Sequence, residues 1–119
     1  MKKNIYLISG YDEYGEIIYK IGISKNVKTR LNQIKTGNPF AEIVNIYVTE
    51  NFTHSIESNL HRKFEDKRVK DDNSAGKEWF YLTPEDVAEF TNLCQYYYDM
   101  FDIVENNNTW MEDKGYSFK

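Results

Sequence analysis

The sequence predicts an α+β fold: a small, mainly antiparallel three-stranded sheet flanked by helices, followed by a C-terminal helix and a tail. Two β-branched and aromatic runs, residues 3–9 and 16–23, lie on either side of a loop that carries two glycines, which is typical of a β-hairpin. A third apolar run, residues 43–48, predicts the third strand. Elsewhere apolar residues recur at the spacing of amphipathic helices.

The hairpin sets the pairing of the first two strands. With the loop centred near Glu13, the numbers of paired residues sum to about 26. This places Tyr6 opposite Lys20, and both side chains point to the same face of the sheet.

The helices are predicted from their first residues and their apolar stripes. Asn26 caps a short basic helix, and a second helix runs from about Thr53 to Glu65. Thr83 and the proline after it begin a third helix. The stripe of this third helix is Val87, Phe90, Cys94, Tyr97 and Phe101.

Between the second and third helices, residues 67–77 are predicted to form an exposed loop. The following run returns as one more strand or extended segment at Trp79, where Trp79 and Phe80 are interpreted mainly as closing the core. Glu78 is a possible supporting acid.

The length of 119 residues allows one domain of ordinary size. We expect a folded domain over residues 1–101, including its C-terminal helix, and an acidic aromatic tail over residues 102–119. The single cysteine, Cys94, excludes an internal disulfide and lies on an apolar stripe, so it is assigned to the core. The N-terminal apolar run is too short for a signal peptide or a membrane span, so we expect a cytoplasmic protein with no membrane partner.

Charge is distributed unevenly along the chain. The net charge is −4, but residues 1–40 carry seven Lys/Arg against three Asp/Glu, whereas residues 83–119 carry two against eight. From Lys20 to Lys35 there are five cations and no anion. This stretch predicts phosphate contacts from Lys25, Lys28 and Lys35, although a solvated helix face has the same composition.

The chemistry suggested by these residues is phosphodiester hydrolysis. That reaction needs a group to activate water, a cation to neutralise charge on phosphorus and a carboxylate to hold a metal. A hairpin face bearing Tyr6 and Lys20, followed by a helix bearing Arg30, offers the first two, and Glu57 offers the third. Gly22 leaves room for a phosphate or the first helix to approach the backbone.

The order of these residues resembles the GIY-YIG endonuclease superfamily. Its first motif corresponds to Asn4-Ile5-Tyr6, its second to Lys20-Ile21-Gly22, and its helical arginine to Arg30. Ile56-Glu57 and the later Glu78-Trp79-Phe80 continue the match. With lysine as the first residue of its second motif, the chain resembles the compact branch of the superfamily that has the sequence KIG there.

This resemblance implies a metal-dependent endonuclease that hydrolyses DNA with one Mg²⁺ or Mn²⁺ ion held by Glu57. Tyr6 would help to deprotonate the attacking water, and Lys20 would act as a base or hold the phosphate. Arg30 would bind the scissile phosphate. His61 would assist the leaving oxygen or orient Glu57.

Two alternatives stay open, and the first belongs to a different class. The acidic C-terminal third, with its tyrosines, is compatible with a non-catalytic interaction protein that binds a protein or nucleic-acid partner on the same fold. An RNA or nucleotide substrate is the other alternative. Each candidate residue taken alone also fits a structural role, since a tyrosine on a strand usually packs in the core.

Overall fold

The computed structural model describes residues 2–70 and 78–113. Four strands and four α-helices make up this part of the chain. In chain order they are β1 (Lys3–Tyr11), β2 (Ile17–Ser24), α1 (Val27–Ile34), β3 (Glu42–Thr49), α2 (Thr53–Lys63), β4 (Trp79–Phe80), α3 (Pro84–Ala88) and α4 (Phe90–Asp113), with a 3₁₀ turn (Glu65–Lys67) after α2.

The sheet has the order β3-β1-β2-β4, and every neighbouring pair of strands is antiparallel. The predicted α+β class is confirmed. The prediction of three strands is wrong, because Trp79 and Phe80 pair with Lys20 and Tyr19 of β2 and add a fourth strand at the edge. This short strand brings the segment after residue 77 beside β2.

The predicted hairpin register is also wrong. Tyr6 lies opposite Gly22, and Lys20 lies opposite Ile8. The strands extend to Tyr11 and Ile17, so the loop is centred one residue later than predicted. One Asp12 carboxylate oxygen accepts hydrogen bonds from the backbone N–H groups of residues 14 and 16, and Gly15 has φ of 81°, which together close the turn.

Each face of the sheet covers its own apolar cluster. On one face, odd-numbered residues of the hairpin pack against α2, β4 and α4, and the buried members include Ile5, Leu7, Ile21, Ile56, Leu60, Phe80, Phe90 and Cys94. On the other face, the smaller cluster under α1 consists of Tyr6, Ile8, Val27 and Ala41. The placement of Cys94 in the core is confirmed, since its side chain is fully buried.

Side-chain caps begin two of the helices as predicted. The Asn26 carboxamide oxygen accepts from the Thr29 N–H at the start of α1. Thr83 and Asp86 form a reciprocal capping box at the start of α3. The single third helix that was predicted is divided in two at Glu89, and α2 ends at Lys63 rather than Glu65.

The division between a domain ending at residue 101 and a tail stays a prediction, and α4 continues across that position to Asp113. Of the predicted loop over residues 67–77, positions 71–77 lie outside the described residues. In the described part of the chain, no helix combines the length and apolar character needed to cross a membrane.

Candidate active site

Tyr6 and Arg30 meet above Gly22. The Tyr6 ring packs under α1, so that only 1% of the residue is exposed, and its hydroxyl oxygen accepts a hydrogen bond of 3.4 Å from Arg30 Nε. A Cβ atom added to Gly22 would lie 2.3 Å from that hydroxyl. The glycine of β2 is therefore the residue that lets Tyr6 reach Arg30.

The protonation of this pair follows from burial and proximity. Burial raises the pKa of Tyr6 above its usual value, and the hydrogen bond from Arg30 offsets part of the rise. The same hydrogen bond raises the pKa of Arg30. Near neutral pH the pair is thus a neutral phenol and a guanidinium cation.

Lys20 lies two residues from Gly22 on the same face of β2. Its ammonium group forms an ion pair of 2.8 Å with Glu78 and lies 5.4 Å from the centre of the Trp79 ring. The residue is 8% exposed, so its positive charge is held at the sheet surface by a carboxylate and an aromatic ring.

Glu57 and His61 lie one turn apart on α2. Glu57 is half-buried, and burial raises the pKa of its carboxyl; His61 opposes the rise and Glu78 adds to it. The His61 Nε2 atom lies 2.9 Å from the backbone carbonyl oxygen of Ile21, and its ring packs edge-on against Phe80 at 5.3 Å. His61 is thus held between β2 and β4.

The three lysines predicted to bind phosphate are all exposed. At about 100° per residue, Lys28 and Lys35 project roughly 140–160° around the helix axis from Arg30. They lie on the other side of α1, so they are placed to contact only phosphates distant from the Arg30 guanidinium. Lys25 precedes the helix, and its backbone carbonyl accepts from the Asn4 carboxamide.

The donor set for a metal ion is small. Within the described ranges, no group of three or more His, Cys, Asp or Glu residues converges. Glu57 forms no salt bridge with any described residue, and it is a half-buried carboxylate. One carboxylate completed by water and phosphate oxygens suits Mg²⁺, which keeps much of its hydration shell. The residues present therefore fit one hard divalent ion that the substrate helps to bind.

Two members of this constellation were not among the candidate catalytic or binding residues: the sequence indicated only a supporting role for Glu78 and core closure for Trp79. The Trp79 side chain is only partly buried and lies beside Lys20. The pairing of β4 with β2 places both residues there. The signal available in the sequence for these two residues was a charged residue directly before a short aromatic strand.

Comparisons with known proteins correct the family suggested by the motifs. No curated protein and no solved structure matches the chain. A family model, the T5orf172 domain, matches residues 3–95. The assignment to the GIY-YIG superfamily is therefore wrong: T5orf172 is a different family, with a nuclease-like fold that looks related, and it is often linked to nuclease or DNA-binding activity. Because this match covers most of the chain, the chain belongs to the T5orf172 domain family.

Proposed function

We propose that this chain is a metal-dependent endonuclease that hydrolyses DNA phosphodiester bonds. The observation that carries the proposal is the arrangement around Gly22, where the Arg30 guanidinium lies on the Tyr6 hydroxyl and a lysine held by a carboxylate lies on the same face. The link of the family to nuclease or DNA-binding activity supports it.

Arg30 is the group that binds the scissile phosphate. Its hydrogen bonds within the described residues use Nε and Nη1, with Tyr6 and Gln33 as acceptors. A guanidinium has five N–H donors in a fixed fork, so donors remain for phosphate oxygens. These donors neutralise the charge that grows on the oxygens as the water oxygen attacks phosphorus and the bond to the leaving oxygen breaks.

Tyr6 acts through Arg30 as a positioning residue. Its ring is buried and its pKa is raised, so the phenol keeps its proton near neutral pH and is a poor base. The hydroxyl instead fixes the direction of the guanidinium. Lys20, as an ion-paired ammonium, places a second positive charge at the same face for the phosphate.

Glu57 is the carboxylate that would hold Mg²⁺ or Mn²⁺. When bound, the ion would supply Lewis acidity and a more acidic bound water. Because burial raises the pKa of the Glu57 carboxyl, protons would compete with the ion for it, and affinity for the ion would rise with pH as the carboxyl ionises.

Plasmid nicking tests the proposal. Wild type is expected to nick supercoiled DNA in Mg²⁺ and to lose activity with a chelator, with Glu57→Gln and with Arg30→Ala. Glu85→Gln and Arg62→Ala are matched controls, because both residues are exposed: Glu85 lies on α3, and Arg62 projects roughly 140° around the axis of α2 from Glu57. We expect each active-site variant to lose about 100-fold or more in rate, the order found on removing a transition-state donor.

Three outcomes contradict the proposal. Cleavage that survives both Glu57→Gln and the chelator removes the metal from the mechanism. Failure of folded wild type to cut either DNA or RNA favours a non-catalytic interaction protein, whereas cutting of RNA alone changes the substrate class.

A further inference from the structure

An open cleft of about 510 Å³ lies beside the candidate active site. It is bounded by the hairpin turn, the end of α1 and the residues around β4. Four aromatic side chains line it: Tyr11, Tyr14, Trp79 and Tyr81. Its volume lies within the range of roughly 300–1,000 Å³ that is usual for small-molecule sites.

The cleft is continuous with the phosphate-binding groups. Lys20 and Trp79 belong to both, since Lys20 lines the cleft and its ammonium group lies over the Trp79 ring. Gln33 lines it from α1, and its carboxamide oxygen accepts from Arg30 Nη1 at 3.2 Å. A strand whose phosphate lies on Arg30 would thus have its neighbouring nucleotide at the cleft.

The back wall of the cleft depends on a glycine. A Cβ atom on Gly10 would lie 2.8 Å from Asn38 Nδ2 and 2.9 Å from a Trp79 ring carbon. Asn38 in turn exchanges two hydrogen bonds with the backbone of Tyr11, one at 3.2 Å and one at 2.9 Å. The missing side chain therefore lets Trp79 and Asn38 come together near the end of β1.

The charges of the cleft favour an uncharged occupant. Asp12 and Glu13 at the turn are balanced by Lys20 and Lys70, which also line the cleft, so the lining has no net formal charge and favours neither an anion nor a cation. Asp12 stays ionised, because the hydrogen bond from the Tyr81 hydroxyl lowers its pKa. Aromatic walls in a lining of balanced charge suit a neutral nucleobase, with its phosphate outside the cleft on the Arg30 guanidinium.

We propose that the aromatic cleft binds one unstacked nucleobase of the DNA strand, next to the phosphate held by Arg30. The base must then be unpaired when it binds, so a single-stranded, frayed or distorted segment is a better substrate than a regular duplex, from which the base must first be flipped out. This inference rests on the proposed function for its substrate class.

Binding of a short fluorescent single-stranded oligodeoxynucleotide tests the cleft, measured by anisotropy with a chelator present to prevent cleavage. An intact oligonucleotide is compared with a series that carries one abasic site at successive positions. We expect wild type to bind about tenfold more weakly when one particular base is missing, the order expected from the loss of one base–aromatic stack.

Substitutions of Tyr14 identify the site of that stack. Tyr14 is 81% exposed, so Tyr14→Ala should fold normally. It is expected to lose about tenfold in affinity for the intact strand and to lose nothing further at the sensitive abasic position. Tyr14→Phe keeps the ring and should bind as wild type does, and Tyr96→Ala removes a 59% exposed aromatic on α4 as a matched control.

The outcomes distinguish failure of the cleft proposal from failure of the proposed nuclease function. Equal binding of intact and abasic strands overturns the cleft proposal. Unchanged binding by a double variant that carries Tyr11→Ala and Tyr14→Ala overturns it as well. If wild type nicks plasmid while these strands bind equally, only the cleft proposal fails. If wild type neither nicks plasmid nor binds any oligonucleotide, the proposed function fails with it.

Discussion

Substituting Gly22 by alanine tests the packing that brings Tyr6 to Arg30. The new Cβ would lie 2.3 Å from the Tyr6 hydroxyl and 2.5 Å from its Cζ atom, whereas 3.4 Å is an ordinary contact. The phenol must therefore retreat by about 1.1 Å into a cluster where it is 1% exposed. Overpacking of this kind costs about 1–3 kcal/mol, and losing the hydrogen bond to Arg30 adds about 1 kcal/mol.

We expect Gly22→Ala to reduce the free energy of unfolding by about 2–4 kcal/mol, which lowers Tm by about 8–16 °C for a domain of this size. Circular dichroism during heating, together with urea titration, measures both quantities. Gly37→Ala is the matched control, because a Cβ there meets nothing within 4 Å. In a Tyr6→Leu background, Gly22→Ala should have little further cost. Equal stability of Gly22→Ala and Gly37→Ala would refute this account of the close approach.

Three further predictions follow from individual contacts. Glu78→Gln breaks the ion pair with Lys20. Because the Glu78 side chain is 39% exposed, the free energy of unfolding should change by no more than about 1 kcal/mol. DNA binding should strengthen up to about fivefold, because a negative charge is removed beside the phosphate. Anisotropy and urea titration measure the two effects, and weaker DNA binding would contradict the assignment of Lys20 to phosphate. In the wild type, the hydrogen bond from Tyr81 to Asp12 raises the pKa of Tyr81 to about 12 and lowers the pKa of Asp12. Tyr81→Phe removes this bond. The stability that wild type gains over this variant should be constant near neutral pH, fade as acid protonates Asp12 below its usual pKa of 3.8, and fade again between about pH 10 and 12 as Tyr81 ionises; a difference that persists at both extremes in urea titrations would exclude this bond as its source. Cys94 is fully buried, and burial raises the pKa of its thiol to about 12, so a chromogenic disulfide reagent should react with it only after denaturant is added; rapid reaction of the native protein would contradict the packing of α4.

Short-range signals in the sequence predicted the local structure well. The Asn26 cap and the Thr83 capping box depend on residues within three positions of each other, so their chemistry is visible in the chain itself. The burial of Cys94 followed from helical periodicity in the same way. Signals of this range need no knowledge of the tertiary fold.

The hairpin shows how a wrong register can leave a site prediction usable. Centring the loop one residue too early shifted the pairing by two residues, from Tyr6–Lys20 to Tyr6–Gly22. Side chains alternate between faces with a period of two, so a shift of two keeps every residue on its predicted face. Tyr6 and Lys20 therefore still share a face, although they are not direct partners.

Long-range pairing was the part that the sequence could not supply. β4 has only two residues and joins β2 across more than fifty positions of the chain. No local pattern specifies which strand so short a segment will join. The ion pair between Lys20 and Glu78, and with it the wall of the aromatic cleft, depends on that pairing.

Substituting Tyr6 distinguishes a positioning role from a general-base role. The sequence offered a core role and a site role for Tyr6 as alternatives, and the side chain has both. Its ring packs under α1 while its hydroxyl contacts Arg30. Tyr6→Phe keeps the ring and removes only the hydroxyl. A positioning role predicts a loss of about tenfold in single-turnover cleavage, the lower end for a hydrogen bond from a charged donor, because the contact is long at 3.4 Å. The shape of the pH–rate profile should not change. A general base would instead cost about 10²–10⁴-fold and would remove a titrating limb from that profile. The buried, raised-pKa phenol favours the first result, and the second would return Tyr6 to the role of base.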